Sequence, residues 1–557
     1  MKYSLLADVY ENLEKETGKL KKRDILSSLI SKTPTEILPK VVILASGKVF
    51  PTYSELKTGI ATKMMIKAIS KTTGISLNEI IKKLKEFGDL GLVAEVCIKS
   101  RKQKVFFKKN LTVELVFKNV QKLASSTGVG SQEKKLDLIA ELLVSSEPKE
   151  ARYIVRTILE TLRIGVAEGI IRDAIAETFN IDPKVVENAW FLNPDYGEIA
   201  EIAKEKGENG LKNLRIKLGK PIMIMLGEKA PILKEALEKY ENSILEYKYD
   251  GMRVQIHKKD DKFWIFTRRL ENVTNQFPDL VKFAKEGIKV DECIIEGEAI
   301  GINPKTSEPI PFQHLSRRIQ RKYDIGVMIK KIPVRVYLFD VVYLNGKTLF
   351  NKPYSERRKI LEKSIKRIEK KFEMSQSLVT KDLKKAQKFY QESLKENQEG
   401  LMVKNLDAKY QPGRRMGYWL KVKPVMETLD LVLIEAEWGK GKRSNWLSSF
   451  TLACKDPDTD EFLSCGKLGT GLTDEQFKDF TKRLKVLIVK ESGIQVKLKP
   501  EFVIEVAYEE IQKSSKYESG YALRFPRLQR IREDRRPDDC DTIERVEELF
   551  KTQGKAG

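Results

Sequence analysis

The spacing of apolar residues changes once along this chain, near Pro221, and the change limits what the chain can fold into. Before it, apolar residues recur every three to four positions, as at Leu5, Val9 and Leu13, which is the period of an α-helix. After it, apolar and polar residues alternate in short runs, which is the pattern of β-strands. Because 557 residues exceed what one hydrophobic core supports, we predict a helical domain followed by domains that contain strands.

The pattern divides the chain into three predicted domains. We expect an all-α domain at residues 1–215, an α+β domain at 216–424 and a β-rich domain at 425–557. In the second domain, Asn345-Gly346 predicts a hairpin, and strands are predicted at 244–247, 252–257, 262–267, 293–300 and 334–343. In the third, we predict strands near 429–436, 448–454, 461–467 and 501–508, a helix near 473–487 and a closing amphipathic helix at 541–551. Short strands with one internal helix suit a small β-barrel such as an OB-fold.

The charge of the chain indicates a polyanionic partner. Its 103 lysines and arginines exceed its 80 acidic residues, which gives a net charge of +23. Nucleic acid is the leading candidate for such a field, and the alternative is a basic protein from a thermophile with no such partner. No apolar run approaches the ~20 residues of a membrane span, and the first residues lack a signal-peptide pattern. We therefore expect a soluble, cytoplasmic protein that does not bind membranes.

The residue types available limit the chemistry. Five scattered cysteines without a CxxC pair argue against a structural zinc site and a disulfide framework. The only histidines are His257 and His314, so catalysis by a histidine triad is not expected. The chemistry must rest on Lys, Arg, Asp and Glu, together with a cation that prefers oxygen ligands, such as Mg²⁺.

Lys248, in the stretch from Glu246 to Arg253, is the candidate nucleophile. An unperturbed lysine is a free amine in only about 0.04% of molecules at neutral pH. Nearby cations or a metal lower the lysine pKa and make the amine reactive. The question is therefore whether the rest of the chain supplies a cationic pocket.

Two strands carry paired charges with a period of two, which puts each pair on one face. Glu296 and Glu298 form one pair, and Gly297 between them allows a backbone or a ligand to approach closely. Lys421 and Lys423 form the other, with apolar residues behind them, and suit a phosphate. By itself, the lysine pair is better explained as two solvated strand lysines. For the glutamate pair, an exposed strand face is as good an explanation as a function.

Four further residues are candidates whose ordinary interpretations are structural. Arg253 and Arg268 could each donate paired hydrogen bonds to phosphate oxygens. Glu399, before Gly400, could hold a metal but could equally be a surface residue at a helix end. Phe339 could stack on a flat base, although a phenylalanine in a strand is more often in a core.

Six stretches in this order resemble the covalent nucleotidyltransferases, which comprise DNA ligases, RNA ligases and capping enzymes. They are KYDGMR (248–253), TRRLENVT (267–274), IIEGEAIG (294–301), LFDVVYLNG (338–346), EGLMVK (399–404) and WLKVKP (419–424). Three more stretches narrow the resemblance to archaeal ATP-dependent DNA ligases: LRIGVAE (162–168), PFQHLSRR (311–318) and the C-terminal run ending in REDR (532–535). The resemblance covers nearly the whole chain.

The resemblance implies an architecture and a reaction. The helical domain would bind DNA, the α+β domain would be the adenylation domain, and the C-terminal domain would be an OB-fold. The enzyme would transfer AMP from ATP to lysine, then to the 5′-phosphate of a nick, and the 3′-hydroxyl would displace AMP. The implied cofactors are ATP and Mg²⁺, with Mn²⁺ as a substitute, and the implied substrate is nicked duplex DNA. We expect a monomer that is associated with the nucleoid and acts in replication, repair and recombination.

The resemblance also assigns roles to residues. Lys248 would be the nucleophile, and the nucleotide would contact Glu246, Tyr247, Arg253, Arg268, Glu298, Phe339, Arg415, Lys421 and Lys423. Glu399 and Glu298 would hold the metal. Arg414 rivals Arg415, because the alignment of that loop is ambiguous. Asp534 and Arg535 would orient the departing pyrophosphate. The family usually has lysine where Arg535 stands; both side chains are cationic, but the guanidinium of arginine is planar with donors in fixed directions, whereas the ammonium of lysine is compact.

The stretch QKVFF (103–107) resembles the short box with which archaeal ligases bind a sliding clamp. Gln103 would occupy a polar pocket, and Phe106 and Phe107 an apolar one. An ordinary β-ribbon with alternating faces is the competing interpretation.

Two other functions stay open from the sequence. An RNA ligase or capping guanylyltransferase shares the chemistry but lacks a helical domain like residues 1–215. A non-catalytic DNA-binding scaffold would keep the fold, although the intact Lys248, Glu298, Glu399, Lys421 and Lys423 speak against it. The sequence also leaves open whether ADP, GTP or NAD⁺ replaces ATP.

Overall fold

The computed structural model describes residues 1–553 except 55, 102–108, 129, 231, 320, 322, 425–426, 440–442 and 444. The chain divides into two compact units. The first contains Met1–Ala386 and Met402–Lys421, and the second contains Gln387–Leu401 and Val422–Gly557. The first unit thus includes both the helical region and most of the predicted adenylation domain, and the domain boundaries at 216 and 425 stay predictions.

In its described residues the N-terminal region consists of helices joined by turns and loops, together with one isolated bridge between Lys2 and Thr112. Its helices are α1 (Tyr3–Lys15), α2 (Lys19–Lys32), α3 (Leu38–Ala45), α4 (Thr62–Thr73), α5 (Leu77–Phe87), α6 (Leu90–Lys99), α7 (Val113–Ser125), α8 (Ser131–Ser145), α9 (Pro148–Ile158), α10 (Glu168–Phe179), α11 (Pro183–Leu192) and α12 (Tyr196–Lys212). This confirms the helical period read from the sequence.

Local signals begin these helices, and apolar faces hold them together. The side chains of Ser76, Asp89 and Thr112 each accept a hydrogen bond from a backbone N–H in the first turn of α5, α6 and α7, which satisfies groups that otherwise lack partners. Helices α6 and α9 pack together, as do α10 and α2, and α12 and α3. Their buried faces form one continuous apolar core.

The central region mixes strands and helices. Its elements are β1 (Glu228–Lys229), α13 (Leu233–Glu238), β2 (Ser243–Tyr247), β3 (Met252–Lys259), β4 (Lys262–Thr267), α14 (Pro278–Gly287), β5 (Glu292–Ile302), β6 (Pro309–Ile310), α15 (Phe312–Ile319), α16 (Ile325–Lys331), β7 (Val334–Leu344), β8 (Lys347–Thr348), α17 (Tyr354–Ser364), β9 (Phe372–Met374), β10 (Ser377–Val379), α18 (Leu383–Lys395), β11 (Leu401–Asn405) and β12 (Trp419–Val422).

Two sheets organise this region. One has the strand order β1-β12-β11-β2-β10, and the other has the order β4-β3-β5-β7-β8, with β6 beside β5 and β9 beside β7. Phe339 of β7 and Trp419 of β12 belong to a shared apolar core with Ile244 and Ile294, so the sheets face each other there. Helices α14 to α17 cover the other face of the second sheet. Because both faces are covered, β5 is buried along almost its whole length.

The C-terminal region is rich in strands. Its elements are β13 (Leu429–Trp438), β14 (Leu447–Lys455), β15 (Phe462–Leu468), α19 (Asp474–Leu484), β16 (Ile488–Ser492), β17 (Gln495–Ala507), β18 (Glu510–Lys513), β19 (Tyr521–Arg524), β20 (Arg527–Ile531) and α20 (Ile543–Thr552). A six-stranded sheet has the order β15-β14-β13-β17-β16, with β20 beside β17, and β18 pairs with β19 alone.

The sequence located most of these elements. Strands predicted at 244–247, 252–257, 262–267, 293–300 and 334–343 correspond to β2, β3, β4, β5 and β7, and Asn345-Gly346 forms the turn between β7 and β8. Strand β17 begins at Gln495 rather than near 501. No helix in the described part of the chain has both the length and the apolar character that crossing a bilayer requires.

Candidate active site

Lys248 lies, half-buried, in the turn that carries the chain from the first sheet to the second. Gly251 lets this turn approach β5, because a β-carbon there would lie 2.5 Å from the carbonyl oxygen of Ala299 and 3.0 Å from Cγ of Glu298. The carboxylate of Asp250 accepts a hydrogen bond of 3.0 Å from the backbone N–H of Phe312, 62 residues away. The turn is therefore fixed by tertiary contacts beside the strand that carries Glu298.

Glu246, two residues before Lys248, is buried in a hydrogen-bond network. Its carboxylate accepts bonds from Lys404 Nζ at 2.8 Å, Arg358 Nη1 at 2.8 Å, Ser375 Oγ at 2.9 Å and the hydroxyl of Tyr354. Burial alone would raise the pKa of Glu246, but the positive charges of Lys404 and Arg358 outweigh it and the pKa lies below its usual value. Glu246 is therefore ionised, and its carboxylate holds the side chains of Lys404 and Arg358.

Lys404 contacts three aromatic rings as well as Glu246. Its Nζ lies 4.3 Å from the ring centroid of Phe339, 4.5 Å from that of Trp419 and 4.8 Å from that of Tyr354, distances at which cation–π attraction operates. Burial lowers the pKa of Lys404, and Glu246 offsets this only in part. A buried ammonium group thus lies against the predicted adenine-stacking residue Phe339.

Arg253 is held by a second buried carboxylate. Its Nη2 donates to Glu296 Oε2 at 2.8 Å and its Nη1 to the Met225 carbonyl at 2.8 Å. Its guanidinium lies 5.3 Å from the ring centroid of Phe339. The hydroxyl of Tyr410 also donates to Glu296, at 2.8 Å. Burial would lower the pKa of Arg253, but Glu296 raises it above its ordinary value, so the group is firmly cationic.

Glu296 and Glu298 of β5 occupy different depths. Glu296 is fully buried, with 0% exposure, whereas Glu298 is half-buried. Gly297 between them admits the neighbouring strand, because a β-carbon there would lie 2.9 Å from the Tyr337 carbonyl oxygen, next to an irregularity in the pairing of β5 with β7. The close approach expected at Gly297 is therefore made by a backbone, and Glu298 is the more accessible carboxylate.

Three arginines and Glu298 form a cationic cluster. The pKa of Arg268 is lowered, first by burial and then by the positive charges of Arg253 and Arg415, while Glu298 acts in the opposite direction. In the sheet, Arg253 pairs with Glu298, and the pair of Val254 with Thr267 brings Arg268 to the same end of these strands. Arg415 is the third arginine whose charge acts on Arg268, so the combined charge of the group is positive. Such a group suits a polyphosphate, whose oxygens accept hydrogen bonds from guanidinium forks.

The two arginines of the loop before β12 point to different surroundings. Arg414 Nη2 donates to Glu187 Oε2 at 2.9 Å, and its guanidinium lies 5.6 Å from the ring centroid of Phe191. Both partners belong to α11. Arg415 is exposed and belongs to the cationic cluster. This difference favours Arg415 as the residue near a nucleotide.

Tyr247 and Lys421 are the remaining predicted nucleotide contacts of the first unit. Tyr247 is buried, with its ring centroid 6.1 Å from that of Tyr249. Lys421 is half-buried on β12, whose Leu420 and Val422 are buried as the sequence predicts. Its side chain runs past Gly227, where a β-carbon would lie 3.3 Å from Lys421 Cε.

Four predicted residues lie in the second unit. Glu399 and Lys423 form an ion pair, with Oε2 and Nζ 2.8 Å apart. Asp534 is exposed and pairs with Arg532, with Oδ2 and Nη2 2.7 Å apart; this contact holds the Asp534 pKa below its usual range. Arg535 Nε lies 3.2 Å from Oδ2 of the buried Asp430. The motif residues of this unit are therefore engaged with one another or with their own sheet.

The last two predictions concern the clamp box and the metal site. Gln103, Phe106 and Phe107 of the predicted clamp box lie outside the described residues. Among the described residues, no group of three or more His, Cys, Asp and Glu side chains could hold a metal ion by itself.

Sequence reasoning missed several residues that build the site. Lys404 and Trp419 stand inside the quoted motifs, so their position was an available signal. Arg358 and Tyr354 lie on α17, outside every motif, and Tyr410 lies in a loop. No spacing rule connects these last three to Glu246 or Glu296, because their contacts join residues more than 100 positions apart in the chain.

Three family models match this chain in sequence order. They are the DNA ligase N terminus at residues 2–176, the ATP dependent DNA ligase domain at 224–423 and the ATP dependent DNA ligase C terminal region at 443–535. The chain is 46% identical over 561 residues to a DNA ligase of Nanoarchaeum equitans, covering 99% of each chain. It is also 46% identical over 554 residues to a DNA ligase of Thermococcus onnurineus, covering 99% of this chain and 98% of the relative.

The chain belongs to the ATP-dependent DNA ligases. Similarity along nearly its whole length to archaeal members, including one from Archaeoglobus fulgidus at 42% identity, identifies it as an archaeal ligase. It is therefore an enzyme that forms phosphodiester bonds, seals nicks in DNA with ATP and passes through a lysine–AMP intermediate, as the family does. The alternatives of an RNA ligase, a capping enzyme and a non-catalytic scaffold are set aside.

A solved structure agrees with the fold of this ligase. The structure titled Pmar-Lig_PreS3 matches 95% of the ligase and 99% of its own chain, with a TM-score of 0.56 at 16% identity. At this identity the match concerns the fold alone.

Proposed function

We propose that Lys248 is the nucleophile of this ligase and that the cluster of Arg253, Arg268 and Arg415 holds the phosphates of ATP. The cluster is the observation that carries the proposal. It unites residues from two of the six stretches with one from the loop before β12, and its positive charge suits a polyphosphate. The amine of Lys248 must lose its proton before it can attack.

The proposed first step forms one bond and breaks one. The neutral Nζ of Lys248 attacks the α-phosphorus of ATP, a phosphorus–nitrogen bond forms, and pyrophosphate leaves. A 5′-phosphate oxygen of the nick then displaces the lysine from the AMP phosphorus. Finally the 3′-hydroxyl attacks the 5′-phosphorus and AMP leaves. Positioning and charge neutralisation are the main requirements of such transfers, which fits a site built from arginines and lysines.

We propose further contacts for the nucleotide. Glu298, which is more accessible than Glu296, would accept a ribose hydroxyl, and Lys421 and Lys423 would bind the α-phosphate. Glu246 and Tyr247 would line the adenine edge, although Glu246 is already bonded to two cations. Adenine would stack on Phe339, a residue that is 8% exposed and whose ring already contacts Lys404 and Arg253.

We propose Mg²⁺ as the metal, with Mn²⁺ as a substitute. Glu399 and Glu298 offer the carboxylate oxygens that Mg²⁺ prefers, and Mg²⁺ commonly completes its shell with substrate phosphates and waters rather than with a full set of protein ligands. Bound there, Mg²⁺ would neutralise phosphate charge. Lys423 contacts the same carboxylate, with its Nζ 2.8 Å from Oε2 of Glu399.

For the C-terminal region we propose a closed OB-fold barrel that brings Asp534 and Arg535 to the pyrophosphate. The six-stranded sheet with α19 supports this reading. Before they can act, Asp534 must leave Arg532 and Arg535 must leave Asp430. The proposal also requires this region to move relative to the adenylation domain, once to reach ATP and again to face DNA. Cross-linking the two should therefore abolish sealing, and full activity of the cross-linked protein would contradict the proposal.

The proposed partners are nicked duplex DNA, for a monomeric ligase associated with the nucleoid, and a sliding clamp bound through Gln103, Phe106 and Phe107. A double variant, Phe106→Ala with Phe107→Ala, should lose affinity for the cognate clamp and keep nick sealing in its absence. Unchanged clamp affinity would refute this part.

Intact mass after incubation with ATP and Mg²⁺ tests the central proposal. The native protein should gain one AMP, and Lys248→Ala should gain none. A Lys258→Ala variant, changed on the neighbouring strand β3, is the matched control and should gain AMP like the native protein. An adduct on Lys248→Ala would show that another residue is the nucleophile.

A further inference from the structure

Helix α11 of the helical region packs against the loop that carries Arg415. Gly413 has a positive φ of 70°, and a β-carbon there would lie 2.3 Å from Cε1 of Phe191. No other residue type fits between the loop and this ring without a shift of one of them. The backbone two residues before Arg415 therefore rests directly on α11.

Arg414 makes a second connection to the same helix. Its Nη2 lies 2.9 Å from Glu187 Oε2 and 3.3 Å from Asn188 Oδ1. The other oxygen of Glu187 accepts a hydrogen bond of 2.8 Å from Arg172 of α10. Glu187 is thus held on its far side, which makes it a fixed acceptor for Arg414.

A third connection runs through the segment at 219–226, which joins the helical region to the adenylation domain. The Met223 N–H donates to the Phe191 carbonyl at 2.8 Å, the Gly413 N–H to the Ile224 carbonyl at 3.1 Å, and the Leu226 N–H to the Arg414 carbonyl at 3.1 Å. The Arg415 loop is therefore bonded to this segment on one side and packed on α11 on the other.

We propose that Phe191 and Glu187 of the helical region are positioning residues for ATP, because they fix the loop from which Arg415 reaches the cationic cluster. This inference rests on the proposed role of Arg415. An exposed arginine on a free loop would lose much conformational entropy on binding phosphate, and a loop fixed in advance reduces that cost. The helical region, assigned only to DNA binding by the sequence, would thus also act in a step that needs no DNA.

Self-adenylation without DNA provides the test. The rate of lysine–AMP formation is measured against ATP concentration for the native protein and for Phe191→Ala. We expect the KM for ATP to rise about tenfold or more, because small misplacements of a binding group have effects of this size, while the unfolding temperature of the variant is checked in parallel. A change confined to the amount of active enzyme, with KM unchanged, would overturn the proposal.

A matched control and a rescue variant sharpen the result. Lys184 lies on the exposed side of α11, so Lys184→Ala should leave the KM for ATP unchanged. Phe191→Tyr keeps the ring under Gly413 and should restore a near-native KM. If Phe191→Ala fails to fold, Glu187→Gln replaces it; this variant keeps the shape of Glu187, should raise the KM in the same direction, and overturns the proposal if it does not.

A double variant that also carries Arg415→Ala distinguishes this inference from the proposed role of Arg415, on which the inference rests. If α11 acts through Arg415, adding Phe191→Ala to Arg415→Ala should change the KM for ATP no further. Fully additive effects would refute the positioning role while leaving Arg415 in the site. A native KM for Arg415→Ala alone would instead refute the role of Arg415, and the inference with it.

Discussion

Glu296 and Glu298 are two residues apart on one strand, yet their surroundings give them different tasks. Glu296 is enclosed and bonds Arg253, Gln255 and Tyr410, whereas Glu298 is half-buried beside the arginine cluster. A buried carboxylate of this kind holds other groups in place. The accessible carboxylate is the one that can meet a ligand.

We expect Glu296→Gln to destabilise the protein by about 3 kcal/mol, because it leaves the buried Arg253 without its counter-ion. Urea unfolding followed by tryptophan fluorescence measures this. Glu292→Gln, on the same strand, is the control; its nearest lysine nitrogen is 3.8 Å away, and such partly exposed pairs contribute under about 1 kcal/mol. Equal stability of the two variants would mean that Arg253 does not depend on the Glu296 charge.

At the residue scale, the sequence identified candidate site residues but not how deeply each side chain is buried. Strand periodicity placed Glu296 and Glu298 on one face, and it could not tell which of them is covered. It also could not find Arg358 and Tyr354, whose bonds to Glu246 arise only when α17 packs on the sheet. Burial by distant elements is a property of tertiary structure, and local patterns carry no record of it.

At the scale of elements, the turn between β2 and β3 depends on its contact with β5. Gly251 has no spare room, since a β-carbon would lie 2.5 Å from the Ala299 carbonyl oxygen. We expect Gly251→Ala to cost about 1–3 kcal/mol through overpacking and to slow adenylation by shifting Lys248. Thermal unfolding and AMP incorporation measure the two effects.

Gly326→Ala is the matched control for Gly251→Ala. A β-carbon at Gly326 would meet nothing within 4 Å, so stability and adenylation should both be near native. Native adenylation by Gly251→Ala would contradict the idea that this turn fixes the nucleophile.

Helix α12 is joined to the segment after it by Glu198, which pairs with Lys217 at 2.8 Å and with Lys220. Burial raises the pKa of Glu198, but the lysines outweigh it and bring the pKa to about 2. A carboxyl group with a lowered folded-state pKa stabilises the fold above its ordinary pKa of 4.5 and loses this contribution as pH falls toward the folded value.

We therefore expect Glu198→Gln to be less stable than the native protein by about 1–3 kcal/mol near neutral pH. The difference should shrink as pH falls from about 4.5 toward 2, where the native carboxyl also becomes neutral. Urea unfolding over this range measures it, with Glu205→Gln on an exposed position of the same helix as the control. A difference that does not vary with pH would argue against the ion pairs as its source.

The elements were predictable where the apolar pattern was regular. Strand β4 has the bounds that the sequence predicts, Lys262–Thr267. Strand β16, Ile488–Ser492, was missed because it is an exposed edge strand without a buried face to impose alternation. Edge strands of this kind are recognised only by the neighbour with which they pair, here β17.

At the scale of the whole molecule, the net charge of +23 predicts how the ligase binds DNA. Contacts with phosphates release counterions, so affinity should fall steeply with salt. If about six phosphates are contacted, affinity for a nicked duplex should drop about 10³-fold between about 50 and 200 mM salt. Fluorescence anisotropy with a labelled nicked duplex measures this, with an intact duplex as the control. An affinity independent of salt would contradict phosphate-dominated binding.

All five cysteines of the chain are buried and free of disulfide bonds, and burial raises the pKa of Cys293 to about 12. Thiol reagents therefore have no surface target on the folded protein. Cysteines introduced at exposed positions would be labelled selectively without removal of any native cysteine. The chain is in this sense ready for attachment of a fluorophore pair, one on each compact unit, and the movement proposed for Asp534 and Arg535 could then be followed during turnover in an otherwise native enzyme.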